Sequence, residues 1–249
     1  MDGAKAVAKL RVRLLQMGTW RYLRYIHLRD SLREVADQID SVGIVGAGHG
    51  IAEVALAAEF PHIHFTLTDA PMDNYPIYDG AQDVAWQWGI DNVSFGVWNV
   101  LQPTPRRFDM VASTEVLEHI ENAATAAARM RDTARHYVYC LVPFASEEEN
   151  RNPRRRAGAL ERHGHFVYGY DAAAMERFFP DPLHIRTTYY EDAGRLLRDK
   201  LSTLTAAEIA ANAAELIALG ETDLRDERVA SVKQAQGIRI LSRTGPPPS

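Results

Sequence analysis

Two glutamates and a histidine are spaced three and four residues apart in one polar segment of the chain. They are Glu115, Glu118 and His119, and a further histidine, His165, follows later. Positions i, i+3 and i+4 share one face if the segment is helical, so the three side chains would point into one region. An imidazole has a pKa near neutrality, which makes His119 and His165 candidate general bases for a proton transfer.

A glycine-rich turn lies earlier, between two apolar runs. Gly46, Gly48 and Gly50 follow the first run, and Asp69 ends the second. Glycines allow a tight turn and a close approach of the backbone to a ligand. A carboxylate at the end of a second strand can accept hydrogen bonds from ribose hydroxyls. The pattern predicts a nucleoside site, and it departs from the dinucleotide fingerprint because Ile51 stands where a third glycine of G-x-G-x-x-G would fall.

Strands and helices must alternate to position these residues. The periodicity predicts strands at 41–47, 62–69, 93–99, 108–113, 136–143, 184–190 and 237–242, and helices at 4–17, 20–40, 50–59, 78–89, 122–135 and 194–227. This order predicts an α/β fold with a doubly wound, mostly parallel sheet. The glycine turn, Asp69, Asn99 and Ser113 would then lie at the carboxyl ends of strands, where such sheets bind ligands.

The chain divides into five segments on this interpretation. They are an N-terminal helical cap (1–40), a core (41–192), a helical insert (193–232), the last core strand (233–244) and a disordered tail (245–249). In the cap, aromatic and histidine side chains either face a pocket or pack on the sheet; they are Trp20, Tyr22, Tyr25 and His27. The charged stretch 145–161 is typical of a solvated loop, or of a flap over the pocket.

The composition bounds the function. The 249 residues carry a net charge of -5, with 46% hydrophobic and 24% charged residues. That charge argues against a dedicated nucleic-acid binder. One cysteine cannot form a disulfide within the chain, and neither a secretory segment nor an apolar run long enough to span a bilayer is apparent. We therefore expect a cytoplasmic enzyme that does not associate with membranes.

The stretch from Val111 to Glu121 resembles the motif that follows the fourth strand of class I S-adenosylmethionine-dependent methyltransferases. Together with the glycine turn, Asp69 and Asn99, the resemblance covers about residues 40–190 and 237–243. It implies a Rossmann-like methyltransferase fold with S-adenosylmethionine as cofactor. The cofactor-binding residues that it implies are Gly46, Gly48 and Gly50 for the methionine part, Asp69 for the ribose, Ala70, Trp98 and Asn99 for the adenine, and Ser113.

The two glutamates and two histidines also resemble the sets of two metal-dependent branches of this class. One branch comprises O-methyltransferases of ubiquinone biosynthesis, and the other comprises small-RNA 2′-O-methyltransferases, which share a context like His163-Gly-His165. The resemblance implies a divalent metal on Glu115, Glu118, His119 and His165, with Zn²⁺, Fe²⁺ or Mn²⁺ more suitable than Mg²⁺. Members without metal also carry Leu-Glu-His, so a histidine base without metal stays open.

Two features depart from the family. The acidic residue usual two places before the first glycine is replaced by Ile44, so another group must serve. The last two strands are separated by the long insert, which we interpret as a lid, a homodimer contact or an extension of the cap.

These observations predict a methyltransferase that acts on a small molecule, most simply at an oxygen. One alternative is an RNA 2′-O-methyltransferase with Arg151 and Arg154–Arg156 on phosphates. Another is a nucleotide-binding regulatory protein without activity, which the loss of an acid at Ile44 favours. Transfer of the aminobutyrate part of the cofactor stays open as well, and the sequence does not identify the substrate.

Overall fold

The fold is a single seven-stranded sheet with helices on both faces. The computed structural model describes residues 3–71, 79–188, 197, 199–225 and 237–245. The strand order is β3-β2-β1-β4-β5-β7-β6. The strands are β1 Ser41–Val45, β2 His64–Asp69, β3 Val93–Val97, β4 Phe108–Thr114, β5 Ala134–Pro143, β6 Pro182–Thr188 and β7 Gly237–Arg243. The predicted fold class, a doubly wound and mostly parallel sheet, is confirmed.

Ten α-helices are bounded within the described ranges. They are α1 Gly3–Gln16, α2 Thr19–Arg33, α3 Ile51–Glu59, α4 Asp79–Trp88, α5 Ala123–Thr133, α6 Glu147–Arg151, α7 Pro153–His163, α8 Ala172–Phe178, α9 Ala206–Ala211 and α10 Ala213–Arg225. The predicted helix over 20–40 is shorter, because α2 ends at Arg33 and a separate 3₁₀ turn, Ala36–Gln38, leads into β1. Within the described ranges, no helix is long and apolar enough to cross a membrane.

The sheet changes winding direction between β1 and β4. β1 pairs in parallel with β2 on one side and with β4 on the other, so Val45 lies beside both Thr68 and Ser113. The carboxyl ends of these three strands therefore meet at one edge of the sheet. Ligands of doubly wound sheets bind outside that edge, at the change of direction.

Each face of the sheet carries its own apolar core. Val42 and Ile44 of β1 point toward α1–α4, whereas Val45 points to the face covered by α5 and α8. Alternate residues of a strand point to opposite faces, which explains why a nearly continuous apolar run serves both cores. Cys140 is fully buried in the second core.

The described part of the insert packs against the N-terminal helices. Ile209 and Leu216 join the same core as Leu10 of α1. The side chain of Arg29 is almost fully buried and lies 2.9 Å from Glu221 of α10, which also contacts Arg11. A buried guanidinium needs such a counter-charge, so this pair fixes α10 onto α1 and α2. The remaining insert residues, 193–196, 198 and 226–232, and tail residues 246–249 lie outside the described ranges.

The charged stretch 145–161, expected to be a loop or flap, forms the helices α6 and α7. Ser146 and Glu149 make a capping box at the start of α6. Asn152 caps α7, and Pro153 occupies its first turn, where a missing N–H has no cost. Local capping therefore overrides the tendency of a charge run to stay irregular.

Candidate active site

The glycine-rich turn joins β1 to α3 at the carboxyl edge of the sheet. Gly46, Gly48 and Gly50 have φ angles of 67°, 56° and 69°, in the left-handed region that favours glycine. A Cβ atom on Gly46 would overlap the side chain of Val116, whereas one on Gly48 would meet nothing within 4 Å. Glycine is thus required at position 46 for two reasons. One is its backbone conformation, and the other is the close approach of the segment after β4.

Asp69, at the end of β2, holds this turn in place. Its Oδ2 accepts a hydrogen bond from the N–H of Gly48 at 2.9 Å, and its Oδ1 accepts one from Ala70 at 2.9 Å. A carboxylate has about four acceptor positions, so each oxygen keeps capacity for another donor. The residue that the sequence assigns to ribose binding therefore also organises the turn.

The structure places the remaining predicted cofactor residues in different surroundings. Ala70 is half-buried beside Asp69, and Trp98 is buried with its Nε1 donating to the carbonyl of Gln102 at 3.0 Å. Asn99 is exposed, and its Oδ1 accepts from the N–H of Leu101 at 3.0 Å. An amide oxygen engaged in its own loop has one acceptor position left for a ligand.

Ser113 does not reach the pocket. Its side chain is buried in the core of the opposite face, with Oγ 3.4 Å from Sγ of Cys140 and 3.8 Å from Sδ of Met130. The alternation along β4 explains this placement, because the residue that follows points the other way. The residues that line the pocket here are Thr114, the last residue of β4, and Glu115, which follows it.

The segment 115–119 is not an α-helix. The prediction that Glu115, Glu118 and His119 share one face requires a helix, so that condition is not met. Glu115 has a φ of 57°, and a 3₁₀ turn covers Leu117–His119. The helix α5 starts only at Ala123, because the Asn122 side chain caps it by accepting from the N–H of Thr125. The kink at Glu115 separates its side chain from those of the following turn.

Three of the four predicted ligands nevertheless converge. One ligand atom from each of Glu118, His119 and His165 lies within 4.8 Å of the others. The two imidazole rings meet edge to face, with centroids 4.5 Å apart. The N–H of Phe166 donates to the carbonyl of Glu118 at 2.8 Å, which ties the segment after α7 to the turn after β4.

The electrostatics of this cluster are unusual. Glu118 is fully buried, and none of the described residues gives its carboxylate oxygens a hydrogen bond. Burial, reinforced by Glu115, raises the pKa of Glu118 well above its ordinary value. Burial and the neighbouring imidazoles lower the pKa of His165 to about 4, and burial also lowers the pKa of His119. Both imidazoles are therefore neutral at pH 7 and can accept a proton or bind a cation.

Glu115 has another partner, which the sequence did not reveal. Its Oε2 lies 3.3 Å from Nη2 of Arg24 on α2. The cap residues considered for the pocket, Tyr22, Tyr25 and His27, are buried in the core instead, and the side chain of Trp20 is outside the described set. Arginines at i and i+3 on the polar face of α2, at positions 21 and 24, were the available signal.

Two adjoining cavities connect these groups. A cavity of about 270 Å³ is lined by the glycine turn, Glu53 and Thr114. A second, of about 610 Å³, is lined by His119, His163 and His165. The two share four lining residues, namely Met17, Arg21, Arg24 and Glu115. The turn between α1 and α2 therefore covers both, whereas no described residue of the insert lines either one.

Comparisons with known proteins agree on the fold. No family model and no curated protein matches the sequence. A proposed sarcosine dimethylglycine methyltransferase from Galdieria sulphuraria matches with a TM-score of 0.57 at 15% identity, over 91% of this chain and 85% of that one. Coclaurine N-methyltransferase bound to N-methylheliamine and S-adenosylhomocysteine gives 0.58 at 12% identity, over 87% and 71%. Geranyl diphosphate methyltransferase, in complex with GPP and sinefungin, gives 0.54 at 14% identity, over 85% and 76%.

Proposed function

We propose that this protein is an S-adenosylmethionine-dependent methyltransferase that acts on a hydroxyl of a small molecule. The observation that carries the proposal is the glycine turn held by Asp69, which opens into a pocket ending at His119 and His165. The fold likeness supports it, since structures of that fold are bound to S-adenosylhomocysteine or sinefungin. When bound, the cofactor supplies a methyl group on a sulfonium, which is already a strong electrophile.

The residues of the chain have defined tasks in this proposal. Asp69 would accept hydrogen bonds from two ribose hydroxyls with the acceptor positions that Gly48 and Ala70 leave open. Gly46 and Gly48 would bring the backbone close to the ligand. The pocket walls would hold the acceptor hydroxyl in line and keep water out, which lowers the barrier mainly through positioning.

Binding of the cofactor product tests the proposal directly. In calorimetry, the wild-type chain is expected to bind S-adenosylhomocysteine and to bind NAD poorly. Asp69→Ala should weaken S-adenosylhomocysteine binding by roughly 1.5–3 kcal/mol, because it removes charge-assisted hydrogen bonds. Asp37→Ala, an exposed carboxylate on the 3₁₀ turn before β1, is the matched control and should bind like the wild type. Micromolar NAD binding without a response to S-adenosylhomocysteine would contradict the proposal.

We further infer that Glu118, His119 and His165 hold a divalent cation. The three side chains are suitable ligands for such a cation. Two neutral imidazoles and a buried carboxylate without a hydrogen-bond partner bring their ligand atoms within 4.8 Å of one another. One carboxylate with two imidazoles suits Zn²⁺, Fe²⁺ or Mn²⁺ better than Mg²⁺. A bound cation would lower the pKa of the substrate hydroxyl. Glu115 forms an ion pair with Arg24 and is not one of these three ligands.

Metal content is the readout for this inference. After treatment with chelator and dialysis against Zn²⁺, Mn²⁺ or Fe²⁺, the wild-type chain is expected to retain one equivalent of one of them. His119→Ala and His165→Ala should each lose it, whereas His64→Ala, at the opposite edge of the sheet, should retain it. Equal metal content in all four proteins, or none in the wild type, would leave His119 or His165 as a general base without metal.

The arginines of the charged stretch 145–161 support a small molecule rather than RNA. Arg151 pairs with Glu147 at 2.5 Å, and Arg155 pairs with Glu149. Half of the arginines that the RNA interpretation requires are thus neutralised by carboxylates of α6. A surface that binds phosphates needs several unneutralised cations in a row, and the net charge of -5 does not supply them.

A further inference from the structure

The larger cavity carries an excess of positive charge on its walls. The helix α2 contributes two guanidinium groups, those of Arg21 and Arg24. Among the described lining residues, Glu115 supplies the one carboxylate, and it is paired with Arg24 at 3.3 Å. The chain as a whole has a net charge of -5, so the positive charge is a local property of this cavity. A cleft lined by one sign of charge attracts ligands of the opposite sign.

Arg21 is the guanidinium without a counter-charge. Its side chain is exposed, and its Nη1 donates to the carbonyl of Met17, four positions earlier, at 3.1 Å. Among the described residues, no carboxylate forms an ion pair with it. A guanidinium has five N–H donors in a planar fork, so most of them remain for a ligand. The fork matches the paired oxygens of a carboxylate or a phosphate.

His163 adds a donor that belongs to the larger cavity alone. It ends α7 and is remote from the glycine turn, whereas Arg21 lines both cavities. The centroid of its ring lies 5.3 Å from that of His165, and the ring forms no hydrogen bond with any residue that the structure describes. A neutral imidazole carries one N–H donor. Arg21 and His163 therefore offer donors from two different helices to a ligand in this cavity.

We propose that the substrate carries an oxyanion, a carboxylate or a phosphate, which Arg21 and His163 bind while its hydroxyl lies at His119 and His165. The proposal rests on the proposed function, because it assigns a substrate class to the same pocket. An oxyanion held at a second point fixes the direction in which the hydroxyl faces the cofactor. Arg21 and His163 thus determine specificity in this assignment, and neither takes part in a proton transfer.

Matched pairs of small probes test for the oxyanion in calorimetry, with S-adenosylhomocysteine present at saturation. The first pair is 3-hydroxybenzoate and its methyl ester, and the second pair is glycerol 3-phosphate and glycerol. The wild type is expected to bind the charged member of one pair about 10–100-fold more tightly than the neutral member. The pair with the larger preference identifies the oxyanion as a carboxylate or as a phosphate.

Three variants assign this preference to residues. Arg21→Gln should reduce it about 10-fold, because it removes the charged donor. His163→Gln should reduce it about 3-fold, since a neutral donor makes a weaker bond. Both variants should bind S-adenosylhomocysteine like the wild type, which also shows that they are folded. Arg177→Gln removes an exposed arginine on α8 and is the control for net charge, so it should keep the full preference.

The outcomes separate this proposal from the proposed function. If the wild type binds S-adenosylhomocysteine but prefers neither charged probe, or binds none of the four, the oxyanion proposal is overturned and the proposed function stands. If Arg21→Gln weakens S-adenosylhomocysteine binding and leaves the preference intact, Arg21 serves the cofactor, and the proposal is overturned as well. If the wild type does not bind S-adenosylhomocysteine, the proposed function fails, and the substrate class fails with it.

Discussion

Replacing Glu53 with glutamine is expected to make the ligand-free protein more stable, by about 3 kcal/mol at pH 8. The pKa of Glu53 rises from its ordinary value of 4.5 to about 7 because the carboxyl is buried. Each pKa unit corresponds to about 1.36 kcal/mol, so a charged Glu53 costs about 3 kcal/mol in the fold. Glutamine keeps the shape of the side chain and cannot ionise.

The pH dependence gives the sign of the effect. Below pH 4.5, Glu53 is protonated in both states, and the variant and the wild type should be equally stable apart from the amide itself. Between pH 4.5 and about 7 the unfolded chain releases the proton first, so the wild type loses stability relative to Glu53→Gln. Above pH 7 the difference should be constant. Urea unfolding at pH 4, 6 and 8 measures the free energy of unfolding of both proteins. A difference between Glu53→Gln and the wild type that does not change with pH would contradict the prediction.

Replacing Gly46 with alanine is expected to weaken S-adenosylhomocysteine binding about 10–100-fold. A residue with a side chain pays about 1–2 kcal/mol at a φ of 67°. Its Cβ would also overlap Val116, so the turn must move. Movement of the turn disrupts the hydrogen bond from Gly48 to Asp69, and a charge-assisted bond contributes about 1.5–3 kcal/mol.

Gly89→Ala is the matched control for this change. Gly89, which follows α4, has a φ of 65°, and a Cβ there would meet nothing within 4 Å. The Gly89→Ala variant should lose about as much stability as Gly46→Ala does from the unfavourable backbone conformation. It should nevertheless bind S-adenosylhomocysteine like the wild type. Equal affinities in Gly46→Ala and wild type, measured by calorimetry, would show that the turn tolerates the methyl group.

The fold could be predicted because its signals are local. The run before Gly46, the alanine-rich helix and the run ending at Asp69 each fix one element, and short right-handed connections fix their order. The capping signals of the charged stretch are equally local. Ser146 with Glu149 three residues later, and Asn152 before a proline, both indicate helix starts.

The site was harder to predict because its key contacts join distant elements. Arg24 meets Glu115, 91 residues away, and the arginines at positions 21 and 24 indicate a cationic face of α2 without indicating which residue it contacts. Glu53 resembles an ordinary polar residue of a surface helix in the sequence, and its burial follows only once α1 and α2 cover α3. The convergence of His119 and His165 followed from adjacent strands, whereas the kink at Glu115 depended on a backbone conformation that side-chain spacing does not encode.

The position of β7 has a consequence for the order in which the protein assembles. β6 is the last strand of the sheet and pairs with β7, which lies between it and β5. β6 ends at Thr188 and β7 begins at Gly237, so a ribosome adding about 5–20 residues per second delivers β7 roughly 2–10 s later. During that interval β5 has an open edge and β6 has no neighbouring strand. Both ladders can then form only after β7 has been synthesised.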